Sequence, residues 1–472
     1  MDRFSNLSLK IEVGLQDFFI VLIYLVIIIS FFLVVKKFQV KNSRISKYYI
    51  PGLVLKLFGS LAFALIYTFY YRYGDTFIYF DGIKVLTELL YTKPNIWFKI
   101  IFLNAGEFTP ETYPYTSQIV FFRENSVFTI IKIGSIINLF AFNNYFALSL
   151  LFATFSFICV WLLYTTFNVI APYLYKYSAT SIFFIPSIFF WSSGIIKDTI
   201  AFSLLSLLFY LLIKIFVRKK SILLNLAFLA IIIYLLAIIK FYVVLSIIGA
   251  SALLLVAYYH NQIKNKLIRV SILPMSIIII AVITIISIKY LSILNQNYAF
   301  ENLIETATTY QEENLSIVEQ AGVGSSYTLG QYDGSILGAV LLVFKSINAT
   351  LFRPYLWEAY SIVMLANAIE SLFILLLTLQ VLFKVKGIFE RLGKPIAVFC
   401  FTFALLVAAG VGFSTFNFGS LARYKIPCIP FYLIGLYYIK YYRKSHISSY
   451  KTMRRRLVPA RRIRRFHPPS VV

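Results

Sequence analysis

Long runs of apolar residues alternate with short polar segments along most of the chain. A helix needs about 20 predominantly apolar residues to cross the hydrocarbon core of a bilayer. The runs therefore predict an all-α, polytopic bundle of about 11 transmembrane helices, with interfacial helices in its external loops. We place the spans at 18–35, 51–71, 144–168, 178–196, 199–217, 222–239, 241–259, 271–291, 360–383, 395–413 and 426–442.

Two segments between the spans have a different hydrophobic pattern. In 72–143, the apolar residues of IYFDGIKVLTELL and FTIIKIGSIINLF recur at helical spacing. This pattern is typical of amphipathic helices that lie on a membrane face. Segment 336–352 has the same character, so we expect interfacial helices in both segments.

Composition supports a membrane protein and explains the high net charge. The chain is 60% hydrophobic and 13% charged, with a mean hydropathy of +0.82, whereas soluble domains average about 25% charged residues. Much of the net charge of +25 comes from the C-terminus, where 11 Lys and Arg residues and no acid follow from Lys440 onward. Such a tail is typical of a cytoplasmic anchor on anionic lipid. We therefore expect membrane lipids, and no nucleic acid, as partners.

The side on which the basic residues fall predicts the orientation in the membrane. Lys and Arg cluster after the first, fifth, seventh, ninth and last spans, which all end on one side, and basic loops are cytoplasmic. Segment 290–344 holds six acids and no Lys or Arg, as expected for the opposite side. We predict a transmembrane domain at 1–442, external loops at 72–143 and 292–359, and a cytoplasmic tail at 443–472. The protein would be a multi-pass protein of the plasma (inner) membrane with its N-terminus outside.

Ionisable residues occur at five turns that this topology assigns to the outer face. One interpretation is that they end helices at the interface, where Lys, Arg and Trp anchor. The proximity of acids and bases inside tight apolar turns favours a second interpretation, a shared and partly desolvated pocket. The ionisable residues are Asp75, Asp81, Lys197, Asp198, Lys240, Arg353, Glu358, Arg423 and Lys425, and Trp357 lies beside Glu358.

Such a pocket would suit a phosphorylated lipid substrate. Arg and Lys bind phosphate or pyrophosphate, and we choose Lys197, Arg353 and Arg423 as phosphate ligands. A carboxylate can act as general base on a hydroxyl or bind a divalent cation, so Mg²⁺ or Mn²⁺ is the candidate cofactor. Asp75 is the candidate catalytic base, because it follows a Gly at the outer end of a predicted span. The remaining outer-face residues are candidate substrate-binding residues.

Cysteine and histidine give no sign of a redox or zinc site. Cys159, Cys400 and Cys428 are scattered in apolar runs, without the spacing of a disulfide framework or a metal motif. The three His residues fall in basic segments that we predict to be cytoplasmic.

Three motifs resemble those of the C-type (GT-C) multi-spanning glycosyltransferases and the related O-antigen and exopolysaccharide polymerases. They are GDTFIYFDG in the first external loop, FIPSIFFWSSGIIKD, and GSLARYKIPCIPF at the entry to the last span. The resemblance implies that Asp75 is the catalytic acid of the loop, that Arg353 and Arg423 contact lipid phosphate, and that Trp191 belongs to the substrate-binding set. It also implies a polyprenyl-(pyro)phosphate-linked sugar donor and a glycan acceptor. Monosaccharide transfer and polymerisation both stay open, and so does metal dependence, because 72–143 lacks an Asp-Asp or Asp-x-Asp pair.

Two other functions remain in competition with a transferase. A transporter or flippase for a lipid-linked sugar or another solute would carry ionisable residues or broken helices near mid-membrane. Spans four to eight show few such residues, and Glu370 in span nine is the main exception. A membrane scaffold would tolerate the loss of single outer-face charges.

Overall fold

The computed structural model describes residues 13–40, 43–218, 222–259, 326–330 and 336–442. The regular structure of these residues is helical, with an isolated antiparallel bridge between Ser326 and Asn417. The prediction of an all-α protein is therefore confirmed for this part of the chain. The predicted span 271–291, the six acids of 290–344 and the tail 443–472 lie outside the described residues.

The helices fall into two groups along the chain. The first group is α1 (Leu15–Gln39), α2 (Tyr49–Leu65, continued by a π-helical turn Ile66–Tyr71), α3 (Asp75–Thr92), α4 (Pro94–Phe102), α5 (Asn125–Asn138), α6 (Tyr145–Ile170), α7 (Tyr175–Phe183) and α8 (Pro186–Trp191). The second group is α9 (Lys197–Arg218), α10 (Ile222–Tyr259), α11 (Ile336–Phe352), α12 (Ile362–Lys384), α13 (Pro395–Ser414), α14 (Phe418–Tyr424) and α15 (Ile429–Lys440).

Within the described ranges, seven helical segments are long and apolar enough to cross a membrane. They are α1, α2 with its π-helical turn, α6, α9, α10, α12 and α13. The predicted total of about 11 spans is not confirmed. Segment 426–442 contributes the 12-residue α15, which is short for a full crossing.

The predicted span 178–196 is not one continuous helix. Ile185 is extended, with φ −80° and ψ 125°, and Pro186 begins α8 after the break. Proline has no backbone N–H and is tolerated at the first turn of a helix, so it marks the restart here. A second irregular stretch separates the end of α8 at Trp191 from the start of α9 at Lys197.

Two buried charged side chains hold the ends of α8. The Glu370 carboxylate accepts hydrogen bonds from the Ser187 backbone N–H at 2.8 Å and from its hydroxyl at 2.6 Å. Lys56 Nζ donates to the backbone carbonyl of Ser192 at 2.9 Å and to Ser156 Oγ at 2.9 Å. A carboxylate at the start of a helix and an ammonium at its end complement the helix dipole. These bonds satisfy backbone groups that a break inside an apolar bundle would leave without partners.

The long helix α10 changes direction at Lys240, where we predicted an outer turn. The backbone there is non-helical, with φ −149° and ψ 81°. Helix α9 ends at Arg218 and α10 begins at Ile222, and the two helices pack against each other. At 1.5 Å per residue, the two segments between Asp198 and Lys240 each span about 30 Å, which returns Lys240 to the level of Asp198.

The helices predicted in 72–143 are present as α3, α4 and α5. Helices α3 and α5 pack closely because Ile131 fills the space beside Gly82, and Ile83 fills the space beside Gly134. Helix α5 also packs against α9 and α10. This group of helices therefore lies at the end of the bundle that carries Asp198 and Lys240.

Candidate functional site

Asp198 is the centre of the candidate site. It lies in the first turn of α9, and its carboxylate has 0% of its surface exposed. One carboxylate oxygen accepts a hydrogen bond from Lys240 Nζ, and the other accepts one from Arg423 Nε. A buried carboxylate is stable only when it is paired and hydrogen-bonded. Asp198 thus binds a cation from α10 and a cation from α14.

Arg423 connects this buried pair to the protein surface. Its Nη1 donates to Asp75 Oδ2 at 3.1 Å, while its buried Nη2 has no hydrogen-bond partner in the described residues. Burial alone would lower the pKa of Arg423, but the charges of Asp198 and Asp75 raise it well above its usual value. Arg423 therefore stays cationic, with one nitrogen available for a further acceptor.

Asp75 is the accessible member of the group, with 46% of its side chain exposed. It begins α3 directly after Gly74, whose φ of +148° is strained for any residue with a Cβ. The ring of Tyr67 fills the space where a Cβ on Gly74 would lie. The Gly-Asp pair of the GDTFIYFDG motif thus fixes the position of this carboxylate. We call Asp75, Asp198, Lys240 and Arg423 the ion network.

Tyrosine side chains surround the ion network. The Tyr424 ring lies 4.3 Å from Lys240 Nζ, and the buried Tyr242 hydroxyl has no hydrogen-bond partner in the described residues. Burial raises the pKa of Tyr79, which also senses the charges of Asp75 and Arg423. The Tyr79 phenol therefore remains protonated at neutral pH and can serve as a hydrogen-bond donor.

A second charged cluster adjoins α14. Arg353 Nε donates to both carboxylate oxygens of Glu358, at 3.0 and 3.1 Å, and its guanidinium lies 5.3 Å from the Phe418 ring. Buried Lys425 donates to Ser371 Oγ at 3.0 Å and reaches the Arg353 carbonyl at 3.5 Å. Three predicted residues, Arg353, Glu358 and Lys425, are thus brought together beside the network, but Arg353 is already paired with an acid.

The remaining predicted residues have other contacts. Lys197 donates to Glu124 at 2.9 Å, and Asp81 pairs with Lys84 one turn along α3 at 2.6 Å. Trp191 packs against Phe63, and Trp357 is 77% exposed and stacks on Tyr355. No contact in the described part of the chain joins Lys197, Asp81 or either Trp directly to the ion network.

Sequence reasoning missed several residues that the structure places here. Tyr242 follows Lys240 by two positions and carried a usable signal, because it lies in the same interrupted apolar run. Glu124 carried none, since it is one of several acids in 72–143. Burial raises the pKa of Glu124, but hydrogen bonds from Ser126 and Lys197 lower it more, so the net shift is downward.

The residues present do not fit the candidate divalent cation. The described residues contain no group of three or more His, Cys, Asp and Glu side chains that could hold a metal. The two carboxylates of the ion network already face Arg423 and Lys240, and a divalent cation would meet like charge there. The ion network therefore does not form a divalent-cation site.

The geometry allows two kinds of chemistry. An exposed carboxylate beside a buried cation can accept a proton from a substrate hydroxyl. The free guanidinium nitrogen beside it can stabilise negative charge on a leaving group.

Compared with known proteins, the chain matches no family model, no curated protein and no solved structure.

Proposed function

We propose that the protein is a membrane glycosyltransferase or polysaccharide polymerase, which transfers sugar from a polyprenyl-phosphate-linked donor at the outer face of the plasma membrane. The observation that carries this proposal is the position of Asp75. Its carboxylate is half-exposed at the edge of a buried ion network and lies 3.1 Å from the Arg423 guanidinium, whose other terminal nitrogen is buried and has no partner among the described residues. The candidate base, Asp75, and the candidate anion ligand, Arg423, therefore lie next to each other where the buried ion network reaches the protein surface.

In the proposed reaction, Asp75 acts as general base. The oxygen of an acceptor hydroxyl forms a bond to the anomeric carbon of the donor sugar, and its proton passes to the Asp75 carboxylate. The bond between the anomeric carbon and the phosphate oxygen breaks, and its electron pair leaves with the phosphate. Arg423 stabilises the charge on that oxygen, and Asp75 later loses its proton to water.

Asp198 and Lys240 are positioning residues in this proposal. Asp198 binds Arg423 through Nε, so this bond uses neither of the two terminal nitrogens. Lys240 gives the buried Asp198 carboxylate a second cation, which compensates it further when the charge of Arg423 is shared with substrate. Ionisable groups in membrane bundles are costly and mark functional sites by default.

Complementation in the host strain tests the proposal. Asp75→Asn should reduce the surface glycan by about a hundredfold or more, because loss of a general base typically costs that much. Arg423→Ala should reduce it as well, with accumulation of the lipid-linked precursor. The matched control is Glu111→Gln, which removes an exposed carboxylate of the same segment that pairs with Lys99. Unchanged glycan in Asp75→Asn at normal protein level would reject Asp75 as the base.

A transporter or flippase is the second candidate, and the discontinuous path through α7 and α8 favours it. Broken helices with charged residues at their ends are typical of transport sites near mid-membrane. Here Glu370 and Lys56 occupy the two ends of α8. Proteoliposomes loaded with a lipid-linked sugar separate the two functions, since a flippase moves the intact lipid and a transferase cleaves its sugar–phosphate bond.

A further inference from the structure

The three nitrogens of the Arg423 guanidinium differ in their hydrogen bonds. Nε is bound to Asp198, whose carboxylate is fully buried and also holds Lys240. Nη1 makes a single 3.1 Å bond to Asp75, which is nearly half exposed, and Nη2 has no partner in the described residues. One edge of the guanidinium is therefore fixed inside the protein, while the terminal edge holds a weakly bound carboxylate.

We propose that the phosphate or pyrophosphate group of the substrate displaces Asp75 from Arg423 and so releases the catalytic carboxylate. The two terminal nitrogens of a guanidinium present parallel N–H donors that match two oxygens of a phosphate. Binding in this way uses the free Nη2 and takes over Nη1. The Asp75 carboxylate is then available to the acceptor hydroxyl only when the donor is in place. This inference rests on the proposed function and assigns its substrate-dependent step.

The difference in burial determines whether Asp75 or Asp198 leaves Arg423 when an anion binds. Asp75 is nearly half exposed and can be solvated after it leaves Arg423. Asp198 cannot be solvated in the same way, and loss of Arg423 would leave this buried carboxylate with Lys240 alone. An incoming anion therefore exchanges with Asp75 and leaves Asp198 in place.

The charge balance of the ion network favours the same exchange. Two acids, Asp75 and Asp198, balance two bases, Lys240 and Arg423. Addition of a phosphate would leave excess negative charge around Arg423 if Asp75 stayed bound. Rotation of Asp75 toward solvent relieves that repulsion, because the interaction of exposed charges weakens in water.

Binding to purified protein in lipid nanodiscs tests the exchange. The probes are inorganic pyrophosphate and farnesyl pyrophosphate, with neutral farnesol as the control. Asp75→Asn removes the competing carboxylate, so it should bind a pyrophosphate probe up to about fivefold more tightly than wild type, as expected for an exposed ion pair. Glu111→Gln should bind as wild type does, and Arg423→Gln should lose the pyrophosphate-specific part of binding.

The two anionic probes separate the possible sources of the phosphate. Tighter binding of both probes by Asp75→Asn supports the exchange at a site that recognises the anion alone. A gain with farnesyl pyrophosphate alone supports the exchange and shows that the anion must arrive on a lipid. A gain with inorganic pyrophosphate alone supports the exchange with a free anion as its source. Equal or weaker binding of both probes by Asp75→Asn overturns the inference, because Asp75 would then not compete for Arg423.

The inference and the proposed function fail in different ways. If Asp75→Asn binds a probe more tightly but still supports glycan synthesis, the exchange occurs and Asp75 is not the base. If Asp75→Asn is inactive but binds both probes as wild type does, Asp75 is required for activity without competing for the anion. The folding control for Arg423→Gln is size exclusion. If the variant elutes as a monodisperse species, its loss of binding is due to the altered site and not to misfolding.

Discussion

The two carboxylates that bind Arg423 should differ sharply in their contribution to stability. Asp198→Asn would leave buried Lys240 without a carboxylate and Arg423 with Asp75 alone, and breaking a buried ion pair costs about 3–5 kcal/mol. Asp75→Asn removes a half-exposed partner of Arg423 and should cost less, about 1–2 kcal/mol. Thermal unfolding in detergent, followed by intrinsic fluorescence, measures both, and similar losses would contradict the different burial of the two groups.

The Tyr242 hydroxyl gives a second prediction for a single atom. It is buried without a hydrogen-bond partner in the described residues, so its removal exposes no unpaired group. We expect Tyr242→Phe to leave the melting temperature unchanged or to raise it slightly, because a buried unpaired hydroxyl carries a desolvation cost. Tyr234→Phe, at an exposed position of the same helix, is the control. A marked drop in melting temperature would show that the hydroxyl has a structural partner.

Individual site residues were predictable from sequence because each interrupts an apolar run. Asp75, Asp198, Lys240 and Arg423 were all assigned to one face for that reason, and the structure joins them in a single network. Their pairing could not be predicted, because Asp198 and Arg423 are 225 positions apart and the direction of each side chain depends on the packed helices. Arg353 was predicted as a phosphate ligand because Arg makes bidentate contacts, and the structure pairs it with Glu358, which lies five positions away in the same patch.

At the scale of elements, the irregular stretch before α9 determines where Asp198 lies. Gly194 packs against the Phe63 ring so closely that a Cβ has no room. Gly194→Ala should therefore displace the start of α9 and cost about 1–3 kcal/mol, as overpacking does, with reduced glycan synthesis. Gly393→Ala is the matched control, because its Cβ would meet only ordinary contacts at 3.8 Å. Equal melting temperatures for the two variants would mean that Phe63 can move aside.

The break between α7 and α8 shows the limit of hydrophobic patterns. Segment 178–196 has the average hydropathy of a span, and an average does not record that Pro186 lacks an N–H or that Ile185 is extended. The bonds from Glu370 and Lys56 to the ends of α8 could not be predicted from sequence either, because both residues come from distant helices. Amphipathic periodicity did locate α3 and α5, because it reports a packed face directly.

For the molecule as a whole, the ion network explains why distant parts of the sequence form one end of the bundle. It joins the start of α3, the start of α9, the bend in α10 and the end of α14. Buried charges in an apolar bundle are stable only in this paired form, so the four elements are held in a fixed mutual arrangement. In the proposed reaction, Asp75 and Arg423 act on one face of the protein, and that face must meet the donor lipid and the acceptor together.

The side of the membrane that this end faces is the last prediction. The basic loops assign it to the outside, with the loop that contains Lys386 in the cytoplasm. Single cysteines can be introduced at exposed positions of the two ends, as Glu111→Cys and Lys386→Cys, after replacement of the three native cysteines, which are buried. In sealed right-side-out vesicles, a membrane-impermeant maleimide should label Glu111→Cys fully and Lys386→Cys only after permeabilisation. Inverted vesicles should give the opposite pattern. Labelling of Lys386→Cys alone in right-side-out vesicles would place the ion network on the cytoplasmic face, where the acceptor would have to be an intracellular glycan precursor.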